Sequence, residues 1–166
     1  MHRALGGRGS SGHWKHIKSK KTKNYFKFTF VRNPFDRFVS TYFYFKKYGR
    51  DGCGDIEMGN VVNRYNSLKD FVINFAKIHK TEWCYPHWEQ QSNWIHKDMD
   101  FIGKFENIQK DFNIVCDKIG IPRQELPHTN KSKHKHYTEY YDEETREIVA
   151  EKYAKDIEYF GYEFGD

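Results

Sequence analysis

The stretch Arg32-Asn33-Pro34-Phe35-Asp36-Arg37-Phe38-Val39-Ser40 holds the densest chemistry in the chain. A guanidinium is a planar fork of donors that matches the oxygens of a phosphate. Asn33 is a favoured N-cap and Pro34 a favoured first helical residue, so a helix is predicted to start here. Its first turn would set backbone N–H groups and the positive end of the helix dipole beside Arg32. Ser40 adds a short hydroxyl two turns along. These residue types in this order predict a phosphate site. A structural alternative stands beside it. Arg32 would pair with Asp36 or a helix end, and Ser40 would be only a small helical residue.

The elements that must position these groups follow from periodicity. Tyr25 to Val31 reads YFKFTFV, a nearly continuous aromatic and β-branched run expected as a strand buried on both faces. Apolar residues at 35, 38, 39, 42 and 45 mark one face of a helix, so 25–48 is predicted as strand, tight turn and helix. A Gly-rich loop is expected at 49–60. A helix is expected at 67–79, with Leu68, Phe71, Val72, Phe75 and Ile78 on one face. An aromatic loop follows over 83–94, then a strand at 100–105. A helix at 109–119 stops at Gly120, with Pro122 beyond it. Residues 123–137 read as a polar basic loop, and a last helix runs from Asp142 to Phe160 and stops at Gly161. Strands alternating with helices predict an α/β fold, a parallel sheet flanked by helices. In such folds the carboxyl ends of the strands, where Arg32 would sit, bind ligands. Residues 1–24 read as an irregular basic segment and 25–166 as the domain.

Composition bounds the rest. At 166 residues one domain is expected. Fourteen Phe, twelve Tyr and four Trp supply core material and argue against disorder for most of the chain. No run of 18 apolar residues exists, and residues 1–17 have no apolar signal region. Cys53, Cys84 and Cys116 are odd in number and form no CxxC pair. The default expectation is a reducing, cytoplasmic compartment, with a membrane-associated parent left open if the chain is a piece of a longer protein. The 28 basic and 23 acidic residues give a net charge of +5. Nine of the basic residues and no acid fall in residues 1–35, so a basic end precedes a mildly acidic remainder. This points to an anionic partner, with a merely solvated basic tail as the alternative.

The run FVRNPFDRFVSTYFYF resembles the 3′-phosphate-binding motif of PAPS-dependent sulfotransferases, in particular the carbohydrate sulfotransferase-like group known as the sulfotransferase family 2 domain. Its pattern, a strand followed by R-(D/N)-P-x-x-R-x-x-S-x-Y, is met at Arg32, Asn33, Pro34, Arg37, Ser40 and Tyr42. The resemblance continues through DFIGKFENIQKDF at 100–112 and the C-terminal run at 130–164. It implies the fold of P-loop nucleotide proteins and transfer of a sulfuryl group from PAPS to a carbohydrate hydroxyl, leaving PAP and requiring no metal. Arg32 and Ser40 would bind the 3′-phosphate, and Ser132 and Lys133 would belong to a basic segment closing over the nucleotide. His13 resembles the general base of some members. His87 and Gln91 fall where the family faces its acceptor sugar, a region where Trp83, Trp88 and Trp94 suit sugar faces. Glu106, Asp111, Asp142, Tyr153 and 160–162 read as structural.

One departure bears on function. The family's early loop of the kind I-P-K-T-(A/G)-G-T-S, which holds the 5′-phosphosulfate, has no match. Gly6 to Ser11 has glycines and serines, but no apolar strand precedes it and no helical pattern follows it. Such a loop stabilises the charge of a loose transition state, worth about 10³–10⁵ in rate by analogy with arginine fingers. The missing loop leaves, beside an intact enzyme, a catalytically inactive or truncated relative that binds PAP or an anionic glycan. The basic N-terminal end and the basic loop at 131–136, with nearby aromatics, leave a further alternative, a basic nucleic-acid-binding domain. His79, Cys84 and His87 fit no tetrahedral metal site. His134 and His136, alternating with lysines, read as part of a solvated basic loop.

Overall fold

The computed structural model describes residues 24–48, 56–78, 86–127 and 134–166. Two units are each built around their own contacts. One joins the strand region up to Val31 with Trp94–Leu126, and the other joins Arg32–Asn93 with Pro127–Asp166. The architecture is mixed α/β with a parallel strand pair.

In the first unit, β1 (Phe28–Val31) pairs in parallel with β2 (Phe101–Lys104), in a register of Phe28 with Phe101 and Phe30 with Gly103. Asp100 sets the entry to this pair. Its carboxylate accepts from the Lys27 N–H at 2.7 Å while its own N–H donates to the Lys27 carbonyl at 2.8 Å. At the far end the Asp111 carboxylate accepts from the Lys104 N–H at 2.6 Å, a structural role as expected. The expectation of a strand buried on both faces is corrected. Phe28, Thr29 and Phe30 are half-buried and only Val31 is fully buried. Helix α4 (Ile108–Ile119) packs on β2 and ends at Gly120, whose φ of 75° is open to glycine without strain. Gln109 then holds the following segment, accepting from the Leu126 N–H and donating to the Gln124 carbonyl.

In the second unit, helix α1 (Pro34–Tyr48) begins where the cap and proline predict. Its apolar stripe is buried, with Phe35, Phe38, Val39, Tyr42 and Phe45 each at most 3% exposed. Helix α2 (Ile56–Asn63) packs against it and begins inside the stretch predicted as loop, 49–60. The glycine and asparagines of α2 weaken its helical propensity, but burial of Met58, Gly59 and Val62 overrides that. Helix α3 (Leu68–Ile78) lies against α5 (Glu143–Lys152). The predicted last helix is two helices, because the backbone at Tyr153 leaves helical values (φ −110°, ψ 20°) before α6 (Ala154–Phe160). Gly161, at φ 61°, ends α6 as its residue type predicts. The core centres on Trp88. Its buried indole lies 4.9 Å from the Phe38 ring, 5.3 Å from Phe71 and 5.8 Å from Phe45. Among the described residues no helix is long and apolar enough to cross a membrane.

Asp142 caps α5 with a full capping box. Its carboxylate accepts from the Thr145 N–H at 3.0 Å, and the Thr145 hydroxyl accepts from the Asp142 N–H. Lys69 on α3 pairs with the same carboxylate.

Two outcomes follow from this packing. A Cβ at Gly103 would lie 2.6 Å from the Phe30 ring and 3.1 Å from the Asp111 Cβ. Gly103→Ala is therefore expected to lower unfolding free energy by about 1–3 kcal/mol, read by urea denaturation. The second outcome concerns pH. The Lys69 ammonium, then the Thr145 donors, hold the Asp142 carboxyl well below the usual carboxylate range. A depressed folded pKa means that the stabilisation is present above the unfolded pKa of about 3.9 and fades as pH falls below it. The stability gap between wild type and Asp142→Asn should be full at pH 7 and narrow steadily below pH about 4. A gap that stays constant with pH would contradict the assignment.

Candidate functional site

Arg32 follows the last residue of β1 directly, and α1 starts two residues later. Its side chain is 22% exposed and its Nε donates to the Asp36 carboxylate at 2.6 Å. One turn of helix thus orients the guanidinium at the helix start. The pairing with Asp36 that the structural alternative proposed is present, and it also serves orientation. Ser40 is half-buried on the same helix, two turns from Arg32.

The turn between strand and helix is held by Asn33, which is fully buried. Its carboxamide oxygen accepts from the Phe35 N–H at 3.1 Å, so the cap role read from the sequence is present. Its Nδ2 donates to the Glu163 carbonyl at 2.8 Å and to the Tyr137 hydroxyl at 3.4 Å. The Tyr137 hydroxyl in turn donates to the Asp166 carbonyl and accepts from the Gly165 N–H at 2.6 Å. Tyr141 donates to the Phe35 carbonyl at 3.0 Å. The first turn of α1 is therefore tied to the last four residues of the chain.

The aromatic loop is held residue by residue. It forms 3-10 turns at Pro86–Trp88 and Gln91–Trp94. Arg37, the second arginine of the motif, reaches the loop rather than the helix start. Its Nη1 donates to the His87 carbonyl at 3.2 Å and its Nη2 to the Glu89 carbonyl. The Arg37 guanidinium also lies 5.3 Å from the centre of the Tyr153 ring. Tyr153 donates its hydroxyl to the Trp88 carbonyl at 2.8 Å. Burial pushes that hydroxyl's pKa up to about 12, so it remains a neutral donor at physiological pH. Gln90 donates to the Lys152 carbonyl at 2.9 Å. Asp156, fully buried, accepts from the N–H groups of Gln91 at 2.6 Å and Ser92 at 2.8 Å.

Gln91 lies beside Arg32. Its Oε1 accepts from the Arg32 N–H at 2.9 Å and its Nε2 donates to the Arg32 carbonyl at 2.8 Å. The residue expected at the acceptor sugar thus has its amide on the peptide of the expected phosphate ligand. His87 is exposed, with its ring stacked 5.9 Å from Tyr44 and edge-on to Phe45 at 5.1 Å. His13, Ser132, Lys133, the Gly6–Ser11 run, His79 and Cys84 lie outside the described residues. His134 differs from a solvated loop histidine. It is half-buried and stacks on Phe43 at 5.4 Å. Among the described residues no three His, Cys, Asp or Glu side chains gather as metal ligands would.

The sequence reading missed the roles of Arg37 and Asp156. Arg37 carried a signal, its fixed place one turn into the helix. Asp156 carried none, because an acid on a polar helix is read as solvated. The loop geometry sets an expectation for Arg37→Lys. An ammonium cannot span both carbonyls as the fork does, so stability should fall by about 1–3 kcal/mol in urea denaturation.

A model described as the Sulfotransferase family matches residues 8–163. Carbohydrate sulfotransferase 9 of Homo sapiens is 28% identical over 158 residues, covering 82% of this chain and 34% of that protein. Carbohydrate sulfotransferase 14 of Danio rerio is 25% identical over 173 residues, covering 86% of this chain and 45% of that protein. An uncharacterized protein of Archaeoglobus fulgidus is 27% identical over 113 residues, covering 65% of this chain and 78% of that protein. The chain thus spans less than half the length of the two carbohydrate sulfotransferases. No solved structure matches the chain. With the strand–turn–helix around Arg32 in place and a family match running over residues 8–163, this chain belongs to the sulfotransferase family.

Proposed function

We propose that this chain binds the nucleotide PAPS as sulfuryl donor and supports transfer of its sulfuryl group to a hydroxyl of a carbohydrate acceptor. The observation that carries this reading is the arginine at the start of α1. Arg32 is partly exposed, its Nε is fixed by Asp36, and it stands where the N-terminal end of a 15-residue helix adds a favourable dipole. These features fit a doubly charged 3′-phosphate, with the Ser40 hydroxyl as a second contact. The family match and the two relatives named as carbohydrate sulfotransferases support the donor and acceptor classes.

When bound, PAPS supplies the sulfuryl group and a nucleotide phosphate as leaving group. A bond forms between the acceptor oxygen and sulfur while the sulfur–oxygen bond to the phosphate breaks. The acceptor proton passes to a base, for which His13 is the candidate. Such loose, charge-rich transfers depend on positioning and electrostatic stabilisation. Arg32 and Ser40 would hold the nucleotide end, with Ser132 and Lys133 as further ligands. His87, exposed beside Tyr44, would face the acceptor.

Calorimetric titration of PAP into wild type and Arg32→Ala tests the donor half. Hydrogen bonds to a charged group contribute about 1.5–3 kcal/mol, so the variant should bind at least about tenfold more weakly. Equal affinity in two proteins with the same unfolding midpoint would overturn the reading. Transfer from labelled PAPS to a panel of glycans then tests the acceptor half. PAP binding without transfer to any glycan of the panel favours a non-catalytic relative.

A further inference from the structure

Asp156 is not among the residues assigned to the 3′-phosphate, yet the bonds that hold the Arg32 backbone lead back to it. Its side chain is fully buried, and a buried carboxylate is costly unless its oxygens are satisfied. Each oxygen takes one backbone donor: Oδ2 the Gln91 N–H at 2.6 Å, Oδ1 the Ser92 N–H at 2.8 Å. These two bonds fix the backbone from which the Gln91 side chain departs. That side chain brackets Arg32 through its N–H and carbonyl, as a strand partner would. Asp36 then fixes the Arg32 Nε. Backbone and head group of Arg32 are thus held by separate anchors, and the backbone anchor ends on Asp156.

We propose that Asp156 is a positioning residue for nucleotide recognition, acting through Gln91 to aim the Arg32 guanidinium at the 3′-phosphate. This rests on the reading that Arg32 is the 3′-phosphate ligand. A carboxylate is needed at this place because both donors point at it. Asparagine offers one acceptor oxygen, and its amide group would face the remaining N–H. The displaced 91–92 backbone would carry the Gln91 amide away from Arg32 and loosen the arginine's aim.

A residue that only staples the loop would affect stability, or all ligands alike. One that aims Arg32 would act on the 3′-phosphate alone. The discriminating measurement is the preference for PAP over adenosine 5′-monophosphate, which lacks that phosphate. Both affinities are measured by calorimetry on the full chain, well below each variant's unfolding midpoint. Wild type should prefer PAP, and Arg32→Ala should lose that preference. Asp156→Asn is expected to lower the preference about tenfold, the loss of one charge-assisted bond. Gln91→Ala should do the same while leaving Asp156 and the backbone N–H groups intact, so it decides the matter if Asp156→Asn fails to fold. Unchanged preference in the Asp156 and Gln91 variants, or an equal fall for both nucleotides, overturns the proposal while the reading of Arg32 stands. A preference that survives Arg32→Ala overturns the reading of Arg32 and the proposal with it.

Discussion

A carboxylate without water must be met by donors, and Asp156 meets this requirement with the main chain of a loop far away in sequence. Buried charge cannot be left half-satisfied without a penalty of several kcal/mol, on the order of what holds a whole domain together. The path of residues 87–92 is therefore constrained to pass α6 at one place and one register. Four other bonds agree with that register. Arg37 holds the carbonyls of His87 and Glu89, Tyr153 holds that of Trp88, and Gln90 holds the end of α5. With the loop backbone fixed at successive residues, Trp88 is delivered into the aromatic core and Gln91 to the Arg32 peptide.

The two arginines of the motif stand at one helix start, Arg32 just before it and Arg37 within it, and divide the work. Arg32 stands ahead of the first turn, with Asp36 four residues on to orient it. Arg37 leaves the same helix and crosses to the loop, where a fork of donors can reach two carbonyls at once. Its guanidinium also lies near the Tyr153 ring, which adds an attraction that an ammonium of the same reach would make less well. One arginine therefore serves recognition in the proposed site, and the other serves the scaffold that keeps recognition in register.

Asn33 ties the far end of the chain to the same turn. An aspartate there could cap Phe35, but it could not donate to the Glu163 carbonyl. The amide allows both. Around it Phe35, Tyr137, Tyr141 and Phe164 meet edge to face, with ring centres 5.0–5.7 Å apart. The C-terminal residues thus act as part of the wall behind the helix start.

Local chemistry alone determined a good part of this protein. Asn33-Pro34 started α1, the apolar stripe at 35, 38, 39, 42 and 45 gave its buried face, and Gly120 and Gly161 ended their helices. These signals are short-range, because caps, proline and left-handed glycine act within one turn. The candidate phosphate ligand was legible for the same reason, since arginine, turn and helix start are adjacent in the chain. What joined residues far apart in sequence was decided only by the tertiary structure. Helix α2 forms against its residues' own preference because α1 covers it, and the last helix breaks where the buried Tyr153 reaches Trp88. Gln91 turns to the Arg32 peptide across 59 positions, and Asp156 to the Gln91 N–H across 65. No periodicity or motif encodes such pairings. They are set by which buried polar groups packing brings within hydrogen-bond reach, and each must then find its partner.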